Sequence, residues 1–266
     1  DIFVHNVQTG VTTRVSVSSS GIQGNSSSWY PSISADGRYI AYYSFAANLV
    51  SGDTNGAYDV FVHDLQTNTT IRASLNSNEE QANQDCIDSF ISSSGQYVVF
   101  RSNATKLVQE NGLWVSHIYL RDLQSGTTVR ASVDSNGLLA NDNSDFPTVS
   151  ADGRFVVFQS DAENLVTDDT NDTTDIFVHD IQTGLTERVS VNSSGLQANG
   201  ASTFAFVSAD GHYIAYSSAA SNLIPNDANT DSDVFVYRQD ILPQPTSTPT
   251  ATATQTSTPL IRPLIH

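Results

Sequence analysis

Residues 31–75 read PSISADGRYIAYYSFAANLVSGDTNGAYDVFVHDLQTNTTIRASL. Four short runs stand out, PSIS, RYIAYYS, DVFVHD and TIRASL, and their β-branched and aromatic content predicts four strands. ADG supplies a hairpin turn between the first two, with Gly37 free to take a positive φ. LQTN turns the third run back into the fourth. The second and third runs are apolar almost throughout, the composition of strands covered on both faces. One such sheet leaves both faces bare, so the rest of the chain has to cover them.

It does so by repetition. The third run recurs as DIFVHN from Asp1, DVFVHD from Asp59, HIYLRD from His117, DIFVHD from Asp175 and DVFVYR from Asp233, a step of 58 residues each time. Arg14, Arg72, Arg130 and Arg188 keep the same step, as do Asn25, Asn83, Asn141 and Asn199. The turns SADGRY, SSSGQY, SADGRF and SADGHY follow suit. Four antiparallel strands per unit of this length predict an all-β fold of the β-propeller kind, four 58-residue repeats making about four blades. A β-solenoid is the other repeat architecture, but its units are usually shorter and lack this hairpin pattern.

The motifs PSISADGRYIAY and DVFVHDLQT resemble the TolB-type, WD-like propeller repeats, over residues 1 to about 240. The resemblance implies an export-side interaction module and no one activity. The peptidase-linked members of that group carry their chemistry on a separate hydrolase domain. Here each unit is lengthened by an acidic loop before the third strand.

The organisation expected is a propeller over 1–241 and a tail over 242–266. The chain opens on a third and fourth strand (1–6, 12–17), inside a unit, which reads as a segment whose upstream residues are missing. It closes on a first, second and third strand (204–208, 212–218, 232–238). Joining the two ends would complete a blade but leave one third strand over. Three outcomes stay open: the spare strand pairs elsewhere, the chain is an arc of a larger ring, or the edge pairs with another chain. In the tail, QPTSTPTATATQTSTP has the composition of an extended stalk, and LIRPLIH is apolar again. Self-association through tail or spare strand, giving a filament, is one expectation.

The acidic loops carry the candidate site. Asp53, Asn55 and Asp59 align with Asp169, Asn171 and Asp175 and with Asp227, Asn229 and Asp233, in the pattern Asp-x-Asn-x-x-x-Asp. Ca²⁺ takes six to eight hard oxygens, and a turning loop of Asp and Asn ending on a strand can converge them; Asp231 adds a carboxylate. The alternative is that these side chains make Asx-turns and solvate a loop. In QENGLWVSH, residues 109–117, Asn111, Leu113 and His117 replace the triad and Trp114 enters, so that loop is expected not to bind calcium.

Other columns read as structural. His5, His63 and His179 share a position that is Arg121 and Tyr237 elsewhere, which suits a packed, hydrogen-bonded histidine. The arginine column suits pairing with carboxylates or carbonyls, and the asparagine column suits loop capping. No G-x-S-x-G, H-E-x-x-H, phosphate loop or CxxC occurs, so the expectation is a protein without catalysis. Glycan binding or hydrolysis by axial carboxylates is the alternative.

The chain has 28 acidic and 11 basic residues, a net charge of −17. That sign disfavours nucleic acid and anionic lipid surfaces. No run approaches the roughly 18 apolar residues of a membrane span. Cys86 is the only cysteine, so no internal disulfide forms. Sequons at Asn25, Asn68, Asn103, Asn171 and Asn192 and the Thr-rich tail fit an extracellular or cell-surface glycoprotein. Asn171 cannot carry a sugar and bind calcium at once. The partners expected are a protein or a second copy, with glycans possible.

Overall fold

A computed structural model describes residues 1–108, 115–229 and 231–239. The tail and its expected role lie outside the described residues, as do Asn111, Leu113 and Trp114. No helix among the described residues is long and apolar enough to cross a membrane.

The strands follow the repeat. β1 (Phe3–Asn6) and β2 (Val11–Arg14) form a two-stranded sheet. Three four-stranded sheets follow. The first holds β3 (Ser28–Ile33), β4 (Tyr39–Ser44), β5 (Asp59–Asp64) and β6 (Thr69–Arg72). The second holds β7 (Cys86–Ile91), β8 (Tyr97–Ser102), β9 (His117–Asp122) and β10 (Thr127–Arg130). The third holds β11 (Ser144–Val149), β12 (Phe155–Ser160), β13 (Asp175–Asp180) and β14 (Thr186–Arg188). β15 (Ser202–Val207), β16 (Tyr213–Ser218) and β17 (Asp233–Arg238) make a last sheet of three strands. Neighbouring strands are antiparallel in every sheet. Among the described residues the predicted all-β propeller grammar is therefore realised as three four-stranded blades, with a two-stranded sheet before them and a three-stranded sheet after.

Blades stack face to face, and the core is the set of layers between them. Ala41, Val60 and Val62 of one blade pack against Ile91, Val98, Phe100 and Tyr119 of the next. Val99, Ile118 and Leu120 then meet Val156, Phe158 and Phe177. Phe155, Val157, Ile176 and Val178 meet Ile214 and Tyr216. This is why β5 and β13 are buried at all six residues. The first strands β3, β7, β11 and β15 touch their successors, while no comparable contact joins β6 to β10 or β10 to β14. The sheets thus fan out from a shared inner rim, the wedge geometry of a propeller. Across that rim Phe90 even meets Phe206, two blades on, at 6.5 Å between ring centroids.

The turn glycines serve this stacking twice over. Gly95 has a φ of 76°, and a Cβ there would sit 2.4 Å from Cδ2 of Tyr39 in the preceding blade. Gly153 stands in the same relation to Tyr97.

Among the described residues the two ends do not join into one blade. β1–β2 and β15–β17 are separate sheets. Phe3 is 54% exposed where its counterpart Phe61 is fully buried, and Val234 is 77% exposed where Val60 is fully buried. Both end faces are the faces that meet another blade elsewhere in the fold.

Candidate functional site

Each acidic loop enters its blade at the first residue of a third strand, which pins the last carboxylate of the triad. Asp59 is completely buried. Its Oδ1 accepts from the Ser74 hydroxyl at 2.6 Å, and its Oδ2 from the Asn55 amide at 3.1 Å. Arg72, from the fourth strand of the same blade, lies between the two aspartates, with Nη2 3.3 Å from Asp53 and Nε 3.4 Å from Asp59. Gln81 completes the set, accepting from Arg72 and donating to Thr54 at 2.5 Å. The second loop is built alike. Arg188 lies 3.1 Å from both Asp169 and Asp175, Ser190 donates to Asp175, and Gln197 accepts from Arg188 at 2.5 Å. Burial pushes the Asp59 and Asp169 carboxyls up, outweighing the pull of the arginine beside each.

These residues do not fit a calcium ion as they stand. The cation between the carboxylates is a guanidinium. The asparagine also turns the wrong way: Asn55 donates Nδ2 to Asp59 and to the Ala82 carbonyl, while its Oδ1 accepts from the Ala57 amide. Asn171 does the same with Asp175, Ala198 and Thr173. Both ends of each amide are assigned by partners, so flipping it would lose hydrogen bonds. The third loop keeps part of the pattern: Asn229 donates to Asp233 at 3.5 Å and accepts from the Asp231 amide at 2.8 Å. Asp227 is half-buried and Asp231 exposed, and the arginine position 58 residues beyond Arg188 is Thr246. Among the described residues no three His, Cys, Asp or Glu side chains form a metal-binding group.

The repeat whose triad is lost is built differently. His117 stands where Asp59 does, and its Nδ1 meets Ser132 at 3.2 Å. Burial depresses its pKa to about 4. Arg130 lies over the Tyr119 ring at 5.3 Å and donates to its hydroxyl at 3.1 Å. The glutamine position is Leu139 there. Triad and glutamine thus change together while the arginine stays and turns to Tyr119; the glutamine's loss was present in the sequence but was read only for the triad.

The remaining columns are spent on the fold. Nδ1 of His63 meets the Thr70 hydroxyl at 2.9 Å, and that hydroxyl donates to the Val17 carbonyl of the preceding blade at 2.5 Å. The hydroxyl has one proton, so the imidazole donates from Nδ1, which fixes its tautomer. His179, Thr186 and Val133 repeat this. The capping asparagines accept from backbone amides of Ala47, Thr105, Glu163 and Ser221. Of the sequons, Asn25, Asn68 and Asn103 are exposed, Asn192 and Asn171 half-buried.

What the sequence reading passed over is the inner rim. There Trp29, Tyr30, Tyr43, Phe45 and Tyr58 gather in one blade: Tyr30 stacks on Tyr43 at 5.8 Å, Tyr43 meets Tyr58 edge-on at 5.6 Å, and Tyr58 meets Phe45 at 5.2 Å. Their crowding into one repeat was the available signal.

No protein-family model matches the chain, and no curated protein matches it. Solved structures do. TolB from Acinetobacter baumannii aligns with 89% of this chain and 47% of its own, at 18% identity and a TM-score of 0.49. The chain is structurally similar to TolB propeller domains. A putative TolB from Agrobacterium tumefaciens aligns at 16% identity and a TM-score of 0.37, over 89% of this chain and 83% of that one. Hydrazine synthase of Kuenenia stuttgartiensis aligns at 17% identity and 0.44, over 89% and 56%. The chain spans about half the length of the Acinetobacter TolB and of the hydrazine synthase. The likeness is one of fold.

Proposed function

We propose that this chain is a non-catalytic, extracellular propeller module that acts as a structural and interaction scaffold. The supporting observation is where its reactive side chains go. The Asp, Arg, His and Asn columns that could carry chemistry are bonded into their own blades or the neighbouring one. The surface left over is rich in exposed aromatic and aliphatic side chains at the inner rim and the two end faces. The exposed sequons at Asn25, Asn68 and Asn103 and the charge of −17 support an extracellular setting.

The arginine pairing supports a fold that holds without calcium. The expected outcome is a melting temperature unchanged between calcium and a chelator. A rise in calcium that Asp53→Ala and Asp169→Ala abolish would return the ion to those loops. The non-catalytic reading is tested by incubation with polysaccharides and peptides. Sustained turnover lost on replacing one carboxylate would defeat it.

A second reading, self-association into a filament, is supported by the bare end faces. Val234 and Val236 are 77% and 67% exposed on a sheet face that carries another blade everywhere else.

A further inference from the structure

We propose that the inner rim carries a binding strip for a neutral glycan chain, running from the aromatic cluster of the β3–β6 blade across the next three sheets. This rests on the interaction-module reading and names the ligand class. Three observations lead to it.

The first is backbone strain at one position of every inner strand. Tyr30, Asp88, Phe146 and Phe204 have φ of 48°, 52°, 49° and 53°. None is Gly, Asn or other residue at ease there apart from Asp88, and bulky side chains pay for this conformation. Each lies within a register shift of the ladder to the second strand. Such bulges re-aim side chains and collect at rims and binding sites.

The second is an aromatic surplus the fold does not require. The counterparts of Tyr43 are Arg101, Gln159 and Ser217; those of Phe45 are Asn103, Asp161 and Ala219; those of Tyr58 are Ser116, Thr174 and Ser232. Three other blades form with polar or small residues at nearly all these places. Trp29 faces Tyr43 across the ladder and is 52% exposed, and Tyr30 is 58% exposed.

The third is the polar centre beside this shelf. Arg101 binds Asp88 at 3.0 Å and Asp145 of the next blade at 2.7 Å, and Ser116 donates to Asp145 at 3.1 Å. Asp88 lies close enough to raise the Tyr43 phenol, second to burial. Beyond this centre Phe146 meets Phe204 at 5.2 Å, and the Phe204 amide donates to Gln159. The strip therefore reads aromatic, charged, aromatic over four successive sheets.

A pyranose chain suits that order. Its C–H faces lie on flat rings, and its hydroxyls, each both donor and acceptor, can bond Asp88, Arg101 and Asp145 without breaking their pairing. An apolar protein surface would bury the same ion pairs with nothing to satisfy their remaining lone pairs and protons. The chain's charge of −17 disfavours anionic sugars and nucleic acid.

The test is affinity electrophoresis of the whole chain through gels holding xylan, hydroxyethyl cellulose, galactomannan or polygalacturonate. Retardation by at least one neutral polysaccharide is expected. Trp29→Ala or Tyr30→Ala should weaken it about tenfold, the equivalent of ~1.4 kcal/mol. Tyr43→Arg, which installs the residue of the next blade and so suits the fold, should abolish it, whereas Leu196→Ala at an exposed site elsewhere should leave it unchanged. No retardation by any neutral polymer, retardation by polygalacturonate alone, or retardation that survives Tyr43→Arg in a protein with an unchanged circular dichroism spectrum overturns the proposal. Capture of a protein partner through Tyr43, with no glycan retained, overturns it too. Failure here leaves the scaffold reading standing. Release of reducing ends from a retained polymer would instead end the non-catalytic reading and keep the strip.

Discussion

Arg72 is the residue on which an acidic loop turns. Its side chain is 6% exposed, between carboxylates that are 6% and 0% exposed. Removing one partner of a buried ion pair costs about 3–5 kcal/mol, because the other charge stays buried alone. Arg72→Ala should therefore lower stability by that order in urea denaturation, and adding Asp53→Asn with Asp59→Asn should recover part of it. A loss below ~1 kcal/mol would mean that the loop, not the pair, carries the stability. His117 gives the pH counterpart. Its folded pKa of about 4 lies below the ordinary 6.5. A depressed histidine contributes stability in full above the unfolded value, and that contribution is lost as pH falls from 6.5 to 4. His117→Gln should make the fall in stability across that window shallower, read as the pH dependence of the melting temperature, with the remainder due to His63 and His179, whose pKa burial also lowers, and with Arg38–Asp64 and Arg154–Asp180 governing lower pH. In those pairs the guanidinium hydrogen bonds its aspartate, and the Asp64 and Asp180 carboxyls sit below the usual range.

At the scale of the element, a propeller must protect the outer edge of each blade. Here the loop of the preceding blade does it. The Ser19 hydroxyl accepts from the Thr70 amide at 2.9 Å and donates to the Thr70 carbonyl at 3.3 Å. Ser77 clasps Thr128 and Ser135 clasps Thr186 in the same way. One hydroxyl thus occupies a donor and an acceptor of an edge strand and ties two blades. Ser77→Ala should cost about 1–2 kcal/mol and speed amide exchange at Thr128 selectively. Equal exchange in the mutant and the parent would show that the clasp is incidental. This clasp was hidden in the sequence because serine is abundant, and nothing local says that Ser77 reaches a residue 51 positions on.

For the whole molecule, the described blades have two bare faces of matching design. Phe3 presents the face that a preceding blade covers elsewhere, and Val234 and Val236 the face that a following blade covers. If copies associate through them, sedimentation velocity should show a concentration-dependent species that Val234→Lys with Val236→Lys removes. A monomer at all concentrations would dismiss self-association through these faces.

The step of 58 residues, the four runs per unit and the unbroken apolarity of DVFVHD were enough by themselves to determine blades and their stacking, because strand period, turn chemistry and the need to cover two faces are local or nearest-neighbour demands. The structural bent of the histidine, arginine and asparagine columns was legible for the same reason: a residue repeated in every blade serves what every blade shares. Which atoms satisfy Asp53 and Asp59 was decided only in three dimensions. Asp-x-Asn-x-x-x-Asp describes converging oxygens equally well around a metal or around a guanidinium. Arg72 lies between those carboxylates because it arrives from a strand that the sheet, not the spacing, brings alongside. The inner rim was decided there too, since Tyr43 meets Asp88 and Arg101, and Phe146 meets Phe204, only when successive wedges converge on one edge.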